Sequence, residues 1–172
     1  MAQTFERFLD QFKTISDLKA TSSALHWDQE THMPPRAAAG RAEQIATVDS
    51  LVHRMTISNE YTDVLGELEG LLSNGALEHW QKAAVREASR SQRRAAKLPE
   101  EFVHELSRTQ SIGQHAWKES REKSDFSIFA KTLEKLVELK RREAGYLSQG
   151  NGNPYDALID DYEPGMTVEQ LA

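Results

Sequence analysis

The spacing of apolar residues constrains this chain more than any other feature, because it follows the period of an α-helix almost from end to end. Apolar side chains recur at intervals of three and four residues, which places them on one face of a helix. Six such stripes cover residues 5–15, 38–55, 61–72, 76–97, 102–123 and 126–147. No segment alternates convincingly between apolar and polar residues, as a half-buried strand would. The sequence therefore predicts an all-α fold of long antiparallel helices.

Helix-breaking residues separate the stripes and predict where the helices begin and end. Pro34 and Pro35 interrupt the chain after the first stripe, since consecutive prolines cannot continue a helix. Asn74-Gly75 and the Gly-Asn-Gly-Asn-Pro run at 150–154 are typical of helix ends. Pro99 followed by two glutamates suits a helix start, and Ser124-Asp125 is predicted to cap the last long helix. Three apolar residues of the fourth helix are predicted to face inward: Leu77, Trp80 and Ala84.

Composition and charge exclude several classes of protein. With no cysteine, the chain has neither a disulfide nor a thiolate metal site. The net charge of -6 argues against a dedicated binder of nucleic acid or of a membrane surface, because affinity for phosphate needs clustered cations. Charged residues interrupt the N-terminal apolar residues, and no apolar run is long enough to span a bilayer. We expect a soluble, cytoplasmic protein.

The nearest approach to a zinc-hydrolase motif lies at residues 104–108. Such enzymes typically use two histidines one helical turn apart, with a glutamate between them that activates the metal-bound water. His104 and Glu105 fit the first half of that pattern, but Arg108 stands where the second histidine belongs. A cation at that position repels a metal ion. We interpret His104 as a helix-surface residue and not as a ligand.

A second cluster of polar residues precedes the proline break: His26, Asp28, Glu30 and His32. Local clusters of this kind usually form solvated faces or helix caps, so we do not assign a metal site to it. The other histidines, His53, His79 and His115, are separated along the chain and are interpreted as structural or exposed. The sequence thus predicts no catalytic, cofactor-binding or metal-binding residue in this chain.

A basic stripe runs along the fourth helix and consists of Arg86, Arg90, Arg93, Arg94 and Lys97. One interpretation is a site for an anionic partner such as RNA or a carboxylate. The favoured interpretation is a solvated face that acids on neighbouring helices balance, because the whole chain is acidic. No aromatic residues alternate with these cations, as a platform for stacking bases would require.

The last residues carry a helix-start pattern. Thr167 and Gln170 have the spacing of a capping box, in which the two side chains satisfy backbone donors of the first turn. The chain stops two residues later, so we expect a truncation. The alternative is that this short pattern occurs by chance. We also expect the chain to self-associate through an apolar face that its own helices leave uncovered.

Three stretches together resemble the carboxypeptidase Taq family of metallocarboxypeptidases. The first is Leu25-His26-Trp27-Asp28-Gln29-Glu30-Thr31-His32-Met33-Pro34 with Gly40-Arg41-Ala42-Glu43-Gln44. The second runs from Ala116-Trp117 through Ser124-Asp125-Phe126 to Leu139-Lys140-Arg141-Arg142-Glu143-Ala144, and the third is the segment 154–167. Within the first stretch we interpret Trp27 and Met33 as packing residues, and Asp28 as a cap or a buried hydrogen-bond acceptor.

The resemblance implies a neurolysin-like helical fold around a deep cleft, in proteins about three times as long as this chain. It implies a zinc ion held by a His-Glu-x-x-His helix and a later glutamate, removal of C-terminal amino acids from peptides, and a homodimer. None of those ligands maps onto a residue here. Residues 1–172 would then be the N-terminal wall or lid of the cleft, with the catalytic region absent and the chain alone inactive. The alternative function is a free-standing helical protein-interaction module.

Overall fold

Every regular element of the computed structural model is helical across residues 2–72, 75–150 and 152–172, the part of the chain that it describes. Six long helices follow the six stripes: α1 (Ala2–Thr31), α2 (Ala38–Thr56), α3 (Asn59–Leu72), α4 (His79–Ala95), α5 (Glu100–Lys123) and α6 (Ser127–Ser148). A 3-10 turn, Pro35–Ala37, precedes α2, and the short helices α7 (Asp156–Ile159) and α8 (Val168–Leu171) follow α6. The all-α prediction is confirmed.

The helix ends agree with the predicted breakers, except that Ser124 ends α5 and does not cap α6. Pro99 lies just before α5, and Glu100 and Glu101 occupy its first turn. Ser124 takes a left-handed backbone with φ 50° and ends α5 instead of starting α6. The Asp125 carboxylate alone caps the next helix, since it accepts from the backbone N–H of Ser127 at 2.9 Å and from its hydroxyl at 2.7 Å. Two predicted breakers, Asn74 and Asn151, lie outside the described residues.

Helix α4 begins three residues later than its apolar stripe, and one inward prediction on it is wrong. The backbone N–H of Glu78 donates to Gln81 Oε1 at 2.8 Å, so the cap forms at Glu78. Leu77 is buried, but Trp80 is 53% exposed. The Trp80 indole packs edge-on against Phe5, with ring centroids 5.4 Å apart, and its N–H donates to the Glu78 carboxylate at 2.7 Å. An indole at the surface can keep that polar partner while one edge covers the core.

The long helices pack in two connected groups. Helix α1 contacts α2 and α3, and α3 contacts α4, around a core that includes Phe8, Val64 and Leu68. Helix α5 lies between α2 and α6. It approaches α6 closely at Gly113, where an added Cβ would lie 3.1 Å from Leu136 Cδ1.

Polar bridges tie α1, α2 and α5 together inside this packing. The Asp49 carboxylate on α2 accepts from the Ser22 hydroxyl of α1 at 2.7 Å and from the Ser107 hydroxyl of α5 at 2.5 Å. Further along α1, Gln29 and Ser111 exchange two hydrogen bonds, of 2.5 and 3.0 Å. Both serines that face Asp49 are buried. The three helices are therefore held in one register by specific polar contacts as well as by apolar packing.

His53 on α2 is buried, and its Nε2 has no hydrogen-bond partner among the described residues. Burial lowers the pKa of His53 below 6.5, and the Leu98 backbone and the Glu100 carboxylate oppose this only in part. Well above pH 6.5 neither the folded nor the unfolded state binds a proton at this ring. As the pH falls below 6.5, the unfolded state takes up a proton that the folded state resists. We expect the free energy of unfolding to fall by at most about 1.4 kcal/mol per pH unit from this group.

Urea unfolding between pH 7.5 and 5.5 measures this dependence. His53→Leu should make the free energy of unfolding less dependent on pH. His79→Leu, at an exposed histidine, should leave that dependence unchanged. Equal slopes in the wild type and the His53 variant would contradict the assignment.

Candidate functional site

The segment 25–44, which joins α1 to α2, is the best-defined candidate, and we call it the signature segment. Helix α1 ends at Thr31, and the Asp28 carbonyl oxygen accepts from the backbone N–H groups of His32 at 3.0 Å and Met33 at 2.9 Å. The chain then leaves the helix through Pro34 and turns into α2. The predicted break after Met33 is confirmed.

Arg41, on the α2 part of the signature segment, links this part to the end of α1. Its guanidinium reaches the Asp28 carboxylate at 2.6 Å, the Leu25 carbonyl oxygen at 2.9 Å and Gln44 Oε1 at 3.0 Å. The Arg41 side chain is 15% exposed and that of Asp28 is 37% exposed. Asp28 is thus an acceptor, as predicted, but only a half-buried one. A planar guanidinium suits this task because it donates in several fixed directions at once.

Trp27 was interpreted as a packing residue, but the structure leaves most of its side chain exposed. Its side chain is 61% exposed, and its ring lies 5.1 Å from the ring of His32. The adjacent residues Asp28 and Gln29 contact α2 and α5, whereas the Trp27 side chain remains largely exposed. Within the described residues, no three His, Asp or Glu side chains are grouped closely enough to hold a metal ion.

A surface cavity of about 410 Å³ opens beside the signature segment, between the end of α1 and the second half of α5. Most of its lining is polar: Gln29, Glu30, Gln114, His115, Lys118, Glu119, Glu122 and Lys123, with Met33 and Pro35 at one side. Glu119 pairs with Lys123 at 2.6 Å, and that hydrogen bond lowers the pKa of the Glu119 carboxyl.

The region that resembles half of a zinc motif forms ion pairs instead. The Arg108 guanidinium donates to the Glu43 carboxylate and lowers its pKa, and His104 Nε2 lies 3.9 Å from the same group. Glu105 pairs with Lys135 at 2.8 Å and with Arg142 at 2.9 Å, which lowers the pKa of its carboxyl. The interpretation of His104 as a surface residue is confirmed, since its side chain is 40% exposed.

Acids balance three of the five cations of the α4 basic stripe, Arg90, Arg93 and Arg94, as the favoured interpretation predicted. In each of three ion pairs a guanidinium nitrogen of the stripe lies 2.6 Å from a carboxylate oxygen. The pairs are Arg90–Asp160, Arg94–Asp161 and Arg93–Glu69, the last of which is on α3. Three side chains of the stripe also donate hydrogen bonds to backbone carbonyl oxygens. Arg90 donates to Asp160 at 2.7 Å and Arg94 to Ala157 at 2.9 Å. Lys97 donates to Leu147 at 2.9 Å. The contacts of Arg90 and Arg94 hold α7 and the following turn against α4, whereas Arg93 links α4 to α3 and Lys97 links it to the end of α6.

Two carboxylates organise the turn between α7 and α8. The Asp160 carboxylate accepts from the Gly165 N–H at 2.9 Å, and this bond, with Arg90 and Arg94, lowers the pKa of Asp160. The Asp156 carboxylate accepts from the Val168 N–H at 2.8 Å, and Thr167 N–H donates to Gln170 Oε1 at 3.0 Å. The predicted capping box is present, and a helix begins at Val168.

Several of these contacts were not predicted from the sequence. The partners of Gln29 and Asp49 lie 82 and 58 residues away on α5, and no local pattern marks them. The Asp28–Arg41 pair joins opposite charges within the signature segment, but Glu30, Arg36 and Glu43 are charged as well, so charge alone does not identify it.

Known proteins resemble this chain over nearly its whole length. Thermostable carboxypeptidase 1 of Pyrococcus furiosus is 33% identical over 169 residues, and carboxypeptidase 1 of Bacillus subtilis is 35% identical over 172 residues. Each alignment covers 98% of this chain and 33% of the relative. The solved structure of BsuCP superposes with a TM-score of 0.91 at 32% identity, over 98% of this chain and 33% of that one.

The chain spans about a third of the length of the curated relatives it matches. A match of this extent to parts of longer proteins disfavours the alternative of a free-standing interaction module. The family described as carboxypeptidase Taq (M32) metallopeptidase matches residues 7–172. The resemblance noted in the signature segment is therefore confirmed, and this chain belongs to the carboxypeptidase Taq (M32) metallopeptidase family.

Proposed function

We propose that this chain is the N-terminal, non-catalytic region of a zinc-dependent metallocarboxypeptidase that removes C-terminal amino acids from peptides. The observation that carries the proposal is the family match over residues 7–172, combined with coverage of only 33% of each relative. In this proposal the helices form a wall of the peptide-binding cleft. The residues that would bind zinc and activate water belong to other parts of the enzyme.

The side chains described here do not fit a catalytic zinc ion. Arg108 stands one turn from His104, and Glu105 is engaged by Lys135 and Arg142. We therefore assign no step of peptide hydrolysis to a residue of this chain. Its proposed contribution is positional: Arg41 and the Asp49 and Gln29 bridges fix how α1, α2 and α5 are placed relative to one another.

The proposal extends to partners and location. The partner is a peptide substrate, bound by the whole enzyme, and the protein is a cytoplasmic homo-oligomer that binds neither nucleic acid nor membrane. The cations of the α4 stripe support the exclusion of nucleic acid, because Arg90, Arg93 and Arg94 already pair with carboxylates. None of the described helices has the length and apolar character needed to cross a bilayer.

The proposal is tested with the chain alone and with a chimera in which it replaces the matched third of the Bacillus subtilis relative. We expect the chain alone, with added zinc or cobalt, to release no detectable amino acid from a blocked dipeptide. We expect the chimera to release it at least about a hundredfold above that background, since enzymes accelerate such reactions by far larger factors. A chelator should abolish the activity of the chimera.

The Bacillus subtilis enzyme is the positive control, and circular dichroism reports whether the chimera is folded. Chelator-sensitive release by the chain alone would contradict the non-catalytic assignment. A helical, zinc-loaded chimera without activity would contradict the assignment of this chain to the cleft wall.

A further inference from the structure

Residues 156–168, from the start of α7 to the start of α8, form a closed loop that we call the strap. Its ends are joined because the Asp156 carboxylate accepts from the Val168 N–H, twelve residues away, at 2.8 Å. Inside the loop, the Asp160 carboxylate accepts from the Gly165 N–H at 2.9 Å. A compact surface loop whose ends meet in this way is a structural unit of its own.

Apolar packing contributes little to holding the strap in place. Ile159 is its sole buried residue, and Tyr162 is 86% exposed. Helix α7 packs against α6 on one side. Because few buried apolar contacts are lost when such a segment detaches, its local opening requires much less free energy than unfolding of the long helices.

Charge attraction holds the strap to α4. The strap carries four acidic residues and no basic one, and it lies against the basic stripe. Arg90 donates to both the carboxylate and the carbonyl oxygen of Asp160. Arg94 donates to the Asp161 carboxylate and to the Ala157 carbonyl oxygen. All these groups lie within this chain, so the strap needs neither a second copy nor the catalytic region in order to close.

The Asp160 carboxylate couples the attachment of the strap to its internal structure. Its Oδ2 accepts from Arg90 and its Oδ1 accepts from the Gly165 N–H. A change that frees this carboxylate from α4 therefore also loosens the turn at Gly165. The side chains of Arg90 and Asp160 are partly exposed, so dissolved salt screens their attraction.

We propose that the strap is a conformational device governed by ionic strength, which opens from α4 as a unit while the six long helices stay folded. Opening separates Arg90 and Arg94 from their acidic partners and uncovers the cavity of about 500 Å³ between α4 and the strap. A detached loop with a single apolar anchor cannot offset the entropy of ordering its backbone. The Gly165 and Val168 hydrogen bonds are therefore lost when the strap opens.

Hydrogen exchange of single amides in the whole chain, followed by NMR, measures this opening. The Gly165 and Val168 amides, the two strap amides, exchange when the strap opens, whereas the amide of Leu68, a fully buried residue of α3, exchanges only when α3 unfolds. At about 0.02 M NaCl we expect the two strap amides to share one protection factor, at least about a hundredfold below that of Leu68. About 0.5 M NaCl should lower their protection several-fold, relative to the unfolded chain at the same salt concentration.

Arg94→Gln and Arg93→Gln form a matched pair of variants, because the two arginines are neighbours on α4 and each lies 2.6 Å from one carboxylate. Arg94 pairs with Asp161 of the strap, whereas Arg93 pairs with Glu69 of α3. We expect Arg94→Gln to lower the protection of both strap amides at least about fivefold, since it removes a hydrogen bond between charged groups. Arg93→Gln should leave that protection unchanged. Circular dichroism of each variant confirms that the helices are retained.

Equal effects of Arg94→Gln and Arg93→Gln on the strap amides would overturn the proposal. Strap amides as protected as Leu68 would also overturn it, because the strap would then open only with the whole fold, and so would strap amides without protection at low salt, because no closed strap would exist. Protection that does not respond to salt would contradict the control by ionic strength. None of these measurements involves peptidase activity, so their outcome is independent of the proposed function.

Discussion

Phe8→Ala is expected to lower the free energy of unfolding by about 4 kcal/mol, the range for removing a buried aromatic side chain from a packed core. Phe8 is 1% exposed, and its ring lies 5.5 Å from that of Phe5 and 6.2 Å from that of Tyr61 on α3. Removing the ring deletes these contacts and leaves a cavity between α1 and α3 that a helical backbone cannot close. Denaturation by urea, followed by the helical circular dichroism signal, measures the loss.

Phe12→Ala is the matched control, because Phe12 lies one turn further along the same helix and the same apolar stripe. Phe12 is 42% exposed, so its removal should cost less than about 1.5 kcal/mol. Equal losses for the two variants would contradict the packing of α1 described above.

Asp49→Ala is expected to lower the free energy of unfolding by about 3 kcal/mol, although it removes a polar residue. The change breaks two hydrogen bonds to a charged acceptor and leaves the buried hydroxyls of Ser22 and Ser107 without that partner. Hydrogen bonds to charged groups contribute about 1.5–3 kcal/mol, and a stranded buried donor costs about 1–3 kcal/mol. The measurement is the same denaturation, and Ser22→Ala in the Asp49→Ala background should cost less than in the wild type.

Asp17→Ala provides the comparison for Asp49. Asp17 forms an exposed pair with Lys13 on α1 at 2.6 Å, and such pairs contribute about 0.5 kcal/mol or less. A loss below about 1 kcal/mol for Asp49→Ala would mean that the carboxylate does not hold the three helices together.

The sequence predicted the order and type of the elements because those depend on local chemistry. Helical spacing identified six helices, and Pro99, Asp125 and Thr167 marked starts that the structure contains. The start of α4 was misplaced because Glu78 and Gln81 form a cap that the apolar stripe alone does not reveal. The same local reasoning excluded His104 as a zinc ligand and predicted that acids would balance the α4 stripe.

The candidate site was only partly predictable. Its position followed from the residues of the signature segment, which also carried the family resemblance. The hydrogen bonds that hold the site together could not be predicted. Gln29 contacts Ser111, and Asp49 contacts Ser107, only after α5 has packed against α1 and α2. Contacts between residues so far apart along the chain produce no periodic pattern in a single sequence.

Exposure of the large apolar residues was decided by the tertiary structure alone. Phe8 and Phe12 belong to one stripe, yet only Phe8 is covered, and Trp27 and Trp80 lie at the surface instead of in the core. The sequence by itself determined that the chain is all-α, where most helices begin and end, and which family it belongs to. A helix period is a property of neighbouring residues, whereas burial depends on where another helix crosses, and that crossing is set by the packing of the whole chain.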